Sequence, residues 1–115
     1  MQLHAGRMLN IHPSLLPSFT GLRTHERALA AGVKLHGCSV HFVTPDLDAG
    51  PIVIQAAVPV LANDTVETLS KRVLAQEHIV YPRAIGWFMQ GKLVIENGRV
   101  NVRGNDAQYL YSDRP

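Results

Sequence analysis

Short apolar runs and alternating stretches in the first half of the chain predict three β-strands. Residues 7–11 form a short apolar run of the kind found in central parallel strands. Residues 37–44 alternate, so that Ser39 and His41 share one face of a second strand. Residues 52–58 form a third strand, and we expect it to pair with the second through the turn-rich loop between them.

Two stretches carry the start and stop signals of α-helices. Thr24 is a candidate N-cap for a short helix that ends at Gly32. Asp64, followed three residues later by Glu67, is a candidate N-cap for a longer helix. Pro82 is expected to break or restart this helix, because proline has no backbone N–H to donate. The longer helix carries an apolar stripe made of Val66, Leu69, Val73, Leu74, Ile79 and Val80.

The chain continues with a hairpin and a polar tail. Asn97-Gly98, between apolar runs at 93–96 and 99–102, is a dipeptide that favours a type I′ turn. Residues 103–115 are polar, and we expect them to form a loose tail. These elements indicate an α/β fold. A first strand near residue 7 with no βα unit before it indicates that 1–115 is a single partial domain that begins in mid-fold.

Composition narrows the function classes without choosing one. Of the 115 residues, 46% are hydrophobic and 17% are charged, which fits one globular domain or part of one. A net charge of +2 with no basic run indicates no nucleic-acid surface. No apolar run is long enough to cross a bilayer, and the start lacks a signal-peptide pattern. The single cysteine, Cys38, suits a reducing compartment, so we expect a cytoplasmic protein.

Asn10 and His12 offer the chemistry of an acyl-transfer site. They stand two residues apart on a predicted strand, so their side chains leave the same face. An amide and a protonated imidazole can both donate to a developing oxyanion, and the imidazolium can then release its proton. Asp48, in the following turn-rich loop, would complete the set because a nearby carboxylate favours the imidazolium. Transfer to an amine needs no serine or cysteine nucleophile.

Structural roles are open for the same residues. His12 is equally suited to a core position with its ring bonded to a backbone carbonyl, and Asp48 to a turn before Gly50. His41 either orients Asp48 or is a half-buried structural histidine. Two histidines and a carboxylate can also hold iron, but no pair has the spacing of a preorganised metal site, and we expect no metal. The other histidines are expected at the surface or at caps, and these are His4, His25, His36 and His78.

Five motifs follow one another with a specific spacing. They are Asn10-Ile11-His12-Pro13-Ser14-Leu15-Leu16-Pro17, Gly21-Leu22-x-Thr24-His25, His36-Gly37-Cys38-Ser39-Val40-His41-Phe42-Val43, Leu47-Asp48-Ala49-Gly50-Pro51-Ile52 and Gln76-Glu77-His78. In order and spacing they resemble the phosphoribosylglycinamide formyltransferases, folate-dependent enzymes of purine biosynthesis. The resemblance implies transfer of a formyl group from 10-formyltetrahydrofolate to the amine of glycinamide ribonucleotide, with the formyl-folate as co-substrate and no metal.

The resemblance also implies roles for individual residues. It makes Asn10, His12 and Asp48 catalytic, with His12 as the proton donor, and it makes Ser39 and His41 supporting residues. It implies that the formyl-folate contacts Asn10, Thr44, Pro45, Asp46, Leu47 and Asp48. It implies that the ribonucleotide contacts Leu74, Ala75, Gln76 and Glu77, although the pattern alone would leave Glu77 on a solvated helix face.

The resemblance covers the C-terminal half of a Rossmann-like formyltransferase fold, a mixed sheet with flanking helices and a C-terminal hairpin. Because remote binding contacts contribute to rate, a chain without the N-terminal, phosphate-binding half is expected to have impaired activity. One alternative is a formyltetrahydrofolate hydrolase, in which water replaces the amine. Another is a non-catalytic half-domain that pairs with a complementary chain, or with itself, through an exposed sheet edge.

Overall fold

Residues 8–114 are those that the computed structural model describes, and they form a mixed α/β fold, which confirms the predicted class. Two predictions fall on residues outside this range: the start of the first strand at Arg7, and a surface or cap position for His4. The elements are β1 (Leu9–His12), α1 (Thr24–Ala31), β2 (Leu35–Phe42), β3 (Ile52–Pro59), α2 (Val66–Met89), β4 (Leu93–Glu96), β5 (Arg99–Val102) and β6 (Tyr109–Tyr111).

A four-stranded sheet in the order β1-β2-β3-β6 is the framework of the fold. β2 is antiparallel to both β1 and β3, and β6 is parallel to β3. The predicted pairing of the second and third strands is therefore confirmed. The predicted parallel character of β1 is wrong for its pairing with β2, because an apolar run reports burial and not strand direction. Leu9 and Ile11 pack against the core on one face, whereas Asn10 is exposed on the other.

Helix α1 ends as predicted but begins differently. Gly32 closes the helix in the left-handed conformation, with φ of 73°. Thr24 is not the N-cap, because it is the first helical residue and its hydroxyl donates to the carbonyl of Pro13. The N-cap is Arg23, which has φ of 56° and no side-chain cap. Thr24 instead fastens the helix to the loop that follows β1.

Helix α2 begins with a cap one residue later than predicted. The Thr65 hydroxyl accepts from the N–H of Thr68, and the Thr68 hydroxyl accepts from the N–H of Thr65. Asp64, the predicted cap, accepts from the N–H of Leu61 and pairs with Arg72 over 2.7 and 2.8 Å. Both side chains of this ion pair are more than nine-tenths buried. In the sequence, an acid just before a helix has the position of an N-cap. Only the folded helix brings Arg72, two turns further along, within reach of Asp64.

Two predictions about the second half of the chain are wrong. Helix α2 runs without a break through Pro82, which is exposed, so the carbonyl of His78 that loses its partner also lies at the surface. The tail at 103–114 is not loose, because β6 adds a parallel strand to the sheet. The Gln108 amide fastens this strand by donating to two carbonyls, those of Val53 and Val100.

The predicted hairpin is confirmed, and the single cysteine, Cys38, is buried in the core. Asn97 and Gly98 have φ of 53° and 73°, as a type I′ turn requires, and they join β4 to β5. Helix α2 packs across β2 and β3, and the core lies between them. Within residues 8–114, neither helix is long and apolar enough to cross a membrane. The largest fully buried apolar side chains are Phe42, Ile54, Leu69, Val40, Val53, Val58, Val73 and Val80.

Replacing Asp64 with asparagine should lower the free energy of unfolding by about 3 to 5 kcal/mol, because the Arg72 guanidinium would stay buried without its partner. Hydrogen bonding from Arg72 holds the pKa of Asp64 well below its usual range. This contribution is therefore full above about pH 4 and is lost as the pH falls through the lowered pKa. Urea unfolding at pH 7 and pH 3 measures both effects. Equal, small losses in D64N and in the exposed control D113N would contradict the prediction.

Candidate active site

The side chains of His12, His41 and Asp48 meet at one end of the sheet. The Nδ1 atom of His12 lies 3.5 Å from Oδ1 of Asp48, and the Nε2 atom of His41 lies 3.9 Å from the same oxygen. All three side chains are more than nine-tenths buried. β1 and β2 contribute the two histidines, and the loop after β2 contributes the acid. The residues that spacing offered as one chemical set are therefore within reach of one another.

The loop holds Asp48 in an unusual backbone conformation. Its φ is 51°, in the left-handed region, which costs about 1 to 3 kcal/mol for a residue other than glycine. Its Oδ2 accepts from the N–H of Gly21 at 2.9 Å, so a second loop fixes the carboxylate from the other side. Gly50 allows the turn to lie against β2, since a Cβ there would stand 1.6 Å from the carbonyl oxygen of Phe42. Asp48 is thus more than a solvated turn residue.

Both nitrogens of the His12 ring face acceptors. Nε2 lies 2.9 Å from the carbonyl oxygen of Phe19, and Nδ1 faces Asp48. Only an imidazolium, with a proton on each nitrogen, can donate to both. The ring thus has the carbonyl contact expected of a core histidine and the neighbouring carboxylate expected of a proton donor. In either role it is a buried polar group with a defined orientation.

The ring of His41 leaves one nitrogen without a hydrogen-bond partner. Its Nδ1 lies 3.0 Å from the carbonyl oxygen of Phe42, so the neutral ring carries its proton there and presents a lone pair at Nε2. Within residues 8–114, Nε2 is buried and has no hydrogen bond, although Asp48 is near. Buried polar atoms rarely stay unpaired. The 3.9 Å between this nitrogen and Oδ1 of Asp48 is longer than a hydrogen bond.

Asn10 and Ser39 lie beside this cluster in different ways. Asn10 is exposed and stands opposite His41 in the β1–β2 register, on the strand face that His12 shares. Ser39 is fully buried, and its hydroxyl accepts from the N–H of Leu16 and donates to the carbonyl of Ser14. Asn10 is therefore accessible to a ligand, whereas Ser39 holds the loop that follows His12.

Gln55 is a residue of this network that sequence reasoning missed. Its side-chain nitrogen donates to the Ser39 hydroxyl and to the Leu16 carbonyl, both at 2.9 Å. In the sequence, Gln55 is marked by being the single amide side chain in the otherwise apolar strand β3. With Ser39, it fixes the proline-rich loop against the sheet.

The loop expected to contact formyl-folate is open on its outer side. Pro45, Asp46 and Leu47 are exposed, and Thr44 is half-buried. Leu47 is 74% exposed, which places an apolar side chain in solvent next to the buried carboxylate of Asp48. The loop therefore offers apolar surface beside a charged group.

The residues expected to contact the ribonucleotide face different directions on α2. Ala75 and Gln76 line a groove of about 580 Å³, and Leu74 is 46% exposed. The lining of this groove does not include His12 or Asp48. Glu77 is half-buried, so a solvated helix face is the wrong description. Burial raises the pKa of Glu77, and the nearby positive charges of His78 and His12 oppose that rise.

Two other histidines form a pair that the sequence did not indicate. His36 is buried, contrary to the expected surface position, and its Nε2 lies 3.1 Å from Nδ1 of the half-buried His25. Burial, followed by the charges of His25 and His12, lowers the pKa of His36 to about 4. His78 is exposed, as predicted. Among the described residues, no group of three histidine, cysteine or acidic side chains is placed to hold a metal ion.

Comparison with known families and curated proteins gives a consistent result. The formyl transferase family model matches residues 1–85. The phosphoribosylglycinamide formyltransferase of Escherichia coli is 56% identical over 107 residues, which are 93% of this chain and 49% of that protein. The trifunctional purine biosynthetic protein adenosine-3 of Bos taurus is 56% identical over 96 residues, which are 83% of this chain and 10% of that protein. The chain thus spans about half the length of the Escherichia coli relative and a smaller share of the longer Bos taurus protein.

Solved structures resemble the fold closely. The phosphoribosylglycinamide formyltransferase from Anaplasma phagocytophilum superposes with a TM-score of 0.92 at 48% identity, covering 97% of this chain and 54% of that one. A formyltetrahydrofolate deformylase from Pseudomonas syringae superposes with a TM-score of 0.82 at 35% identity, covering 85% of this chain and 33% of that one.

The imidazole of His36 should stay neutral down to about pH 4, where its lowered pKa lies. Since the unfolded chain takes up this proton near pH 6.5, the contribution of His36 to stability is full above that pH and is lost as the pH falls through the lowered pKa. NMR titration of the ring and the pH dependence of urea unfolding test this. A ring that titrates near pH 6.5, or an H36Q variant whose unfolding has the wild-type pH dependence, would contradict it.

Proposed function

The chain belongs to the formyl transferase family, and we propose that it forms the catalytic, C-terminal part of a phosphoribosylglycinamide formyltransferase. The reaction transfers a formyl group from 10-formyltetrahydrofolate to the amine of N1-(5-phosphoribosyl)glycinamide, in de novo purine biosynthesis. The observation that carries the proposal is the buried carboxylate of Asp48 lying 3.5 Å from the ring of His12. The substrate pair is supported by the relatives from Escherichia coli and Anaplasma phagocytophilum, which are named phosphoribosylglycinamide formyltransferase.

The geometry suits a direct attack of the substrate amine on the formyl carbon. The new C–N bond makes a tetrahedral intermediate whose oxygen carries negative charge. The exposed amide of Asn10 is a donor that would meet this oxygen, on the strand face that His12 shares. His12 would act as the proton donor after its Nε2–H leaves the carbonyl of Phe19. The attacking amine must lose a proton and the folate nitrogen must gain one as the C–N bond to it breaks. Asp48, with His41 behind it, would relay these protons.

Two surfaces beside the cluster would hold the substrates. The loop at 44–48 supplies exposed apolar and polar groups for the formyl-folate, with Leu47 the most exposed. On α2 we assign the ribonucleotide to residues 74–77, with Glu77 accepting from the ribose hydroxyls. Glu77 is half-buried on the helix that packs across β2, the strand that carries His41. No step of the scheme needs a metal.

A complementary half of the fold would complete this enzyme. The chain spans about half the length of the bacterial relative, and β1 lies at the edge of the described sheet. The N–H of Val43 donates to the carbonyl of Met8, so the antiparallel alternation turns the backbone groups of Leu9 and Ile11 away from β2. A further strand can pair with that edge, either from a complementary half or from a second copy of the chain. The free thiol of Cys38 suits a cytoplasmic setting.

A hydrolase that releases formate is the second candidate, and the match to the deformylase structure supports it. Water would then take the place of the amine at the same carbon. Adding the ribonucleotide separates the two reactions. A transferase produces formylglycinamide ribonucleotide only in its presence, whereas a hydrolase releases formate at the same rate without it.

His12→Asn and Asp48→Asn should each lower kcat by about 100- to 10,000-fold, because each removes a group that moves a proton in the transition state. The assay follows formyl transfer in this chain combined with the part of the Escherichia coli relative that it does not match. Asp113→Asn, at an exposed position remote from the cluster in sequence, is the matched control and should keep wild-type turnover. Full activity in either His12→Asn or Asp48→Asn would exclude the proposed roles.

The chain alone should turn over slowly, and the complementary half should raise its rate at least about tenfold, because remote binding contacts contribute to kcat as well as to affinity. Size-exclusion chromatography with steady-state kinetics tests this. A homodimer that is fully active without the added half would show that a second copy completes the site. Full turnover by a monomer would contradict the need for any second chain.

A further inference from the structure

A short loop carries both backbone groups that orient the proposed catalytic pair. The carbonyl of Phe19 lies against Nε2 of His12, and the N–H of Gly21 donates to Asp48. We call residues 19–23 the orienting loop. Three of its five residues are left-handed, Phe19 with φ of 52°, Gly21 with 81° and Arg23 with 56°. For Phe19 this conformation is costly, because its Cβ crowds the following carbonyl.

Little burial holds the orienting loop in this conformation. Thr20 is exposed, and Leu22 is 85% exposed, so neither side chain contributes core packing. Phe19 makes one edge contact, with the ring of His36 at 6.1 Å between centroids. A strained segment with so little apolar burial needs another interaction to stay in place.

The side chain of Arg27, on α1, supplies that interaction. Its Nη1 donates to the carbonyl of Thr20 and to the carbonyl of Leu22. Its guanidinium also lies over the ring of Phe19, 5.6 Å from the centroid, at the distance of a cation–π contact. One side chain thus contacts three of the five residues of the orienting loop.

We propose that Arg27 is a positioning residue, which holds the orienting loop so that Phe19 and Gly21 aim the His12 ring and the Asp48 carboxylate at each other. The carbonyl of Thr20 lies in the same peptide plane as the N–H of Gly21, so fixing this carbonyl fixes the direction of that N–H. The guanidinium over the Phe19 ring holds the preceding residue. Among the described residues, no hydrogen bond or ion pair joins Arg27 to His12 or Asp48, so it acts on them through the orienting loop. Its consequence for catalysis rests on the proposed function, but its effect on the loop does not.

Hydrogen exchange of the Gly21 amide, measured by NMR on the whole chain, tests the proposal without turnover. Arg27→Met removes the donors and the charge but keeps an apolar stem, and it should speed Gly21 exchange about tenfold. Arg27→Lys keeps the charge and a donor, and it should recover most of the protection. Arg103→Gln, an exposed arginine beyond the hairpin, is the control and should leave Gly21 exchange unchanged.

The pattern of exchange separates positioning from general stability. Positioning predicts faster exchange at Gly21 and a shifted His12 ring resonance, with β2 and β3 amides unaffected. Gly21 exchange within twofold of wild type in Arg27→Met would overturn the proposal. The proposal would also be overturned if the amides of β2 and β3 exchanged faster by the same factor as Gly21. The same holds if the Gly21 amide exchanged as fast in Arg27→Lys as in Arg27→Met. A wild-type chain that fails to transfer formyl would overturn the proposed function and leave this result standing.

Discussion

The carboxylate of Asp48 is the interaction on which the candidate site depends. It lies between the ring of His12 and the N–H of Gly21, and a third group, His41, borders it. These groups come from one strand end, two loops and a neighbouring strand, so the carboxylate joins segments that are distant in the chain. A buried carboxylate is tolerated only when donors surround it. The same requirement that stabilises Asp48 therefore assembles the groups to which we assign proton transfer.

The sheet and the loops contribute different things to this assembly. β1 and β2 set the spacing of His12 and His41 through an antiparallel register, which a single helix packed behind them keeps rigid. The orienting loop and the loop containing Asp48 set the directions of the polar groups, at the cost of left-handed backbone at three non-glycine positions. Strain of this kind persists only where the surroundings over-determine it, and such places are often functional sites.

The sequence predicted most of the fold and the proximity of His12, His41 and Asp48, and the predictions that were wrong have physical causes. Local signals identified the hairpin at Asn97-Gly98 and the end of α1 at Gly32, because each needs a left-handed residue. The prediction that Asp64 is the N-cap was wrong because an acid at that position can either cap the helix or form an ion pair. Only the fold brings Arg72 within reach. The predicted break at Pro82 was wrong because this proline is exposed, so water can donate to the carbonyl that lacks a partner in the helix.

The short strand β6, the buried His36 and the network at Gln55 depend on pairings made across the whole sheet, which no local pattern reports. The convergence of His12 and Asp48 was reached from motif order and not from periodicity. The most direct test of the central claim is a crystal structure of the completed enzyme with a stable formyl-folate analogue and the ribonucleotide. The formyl oxygen should lie within hydrogen-bond distance of the Asn10 amide, and the formyl carbon should lie beside the His12 ring. A formyl-folate analogue bound instead in the groove beside Lys71, with the Asp48 cluster empty, would contradict it.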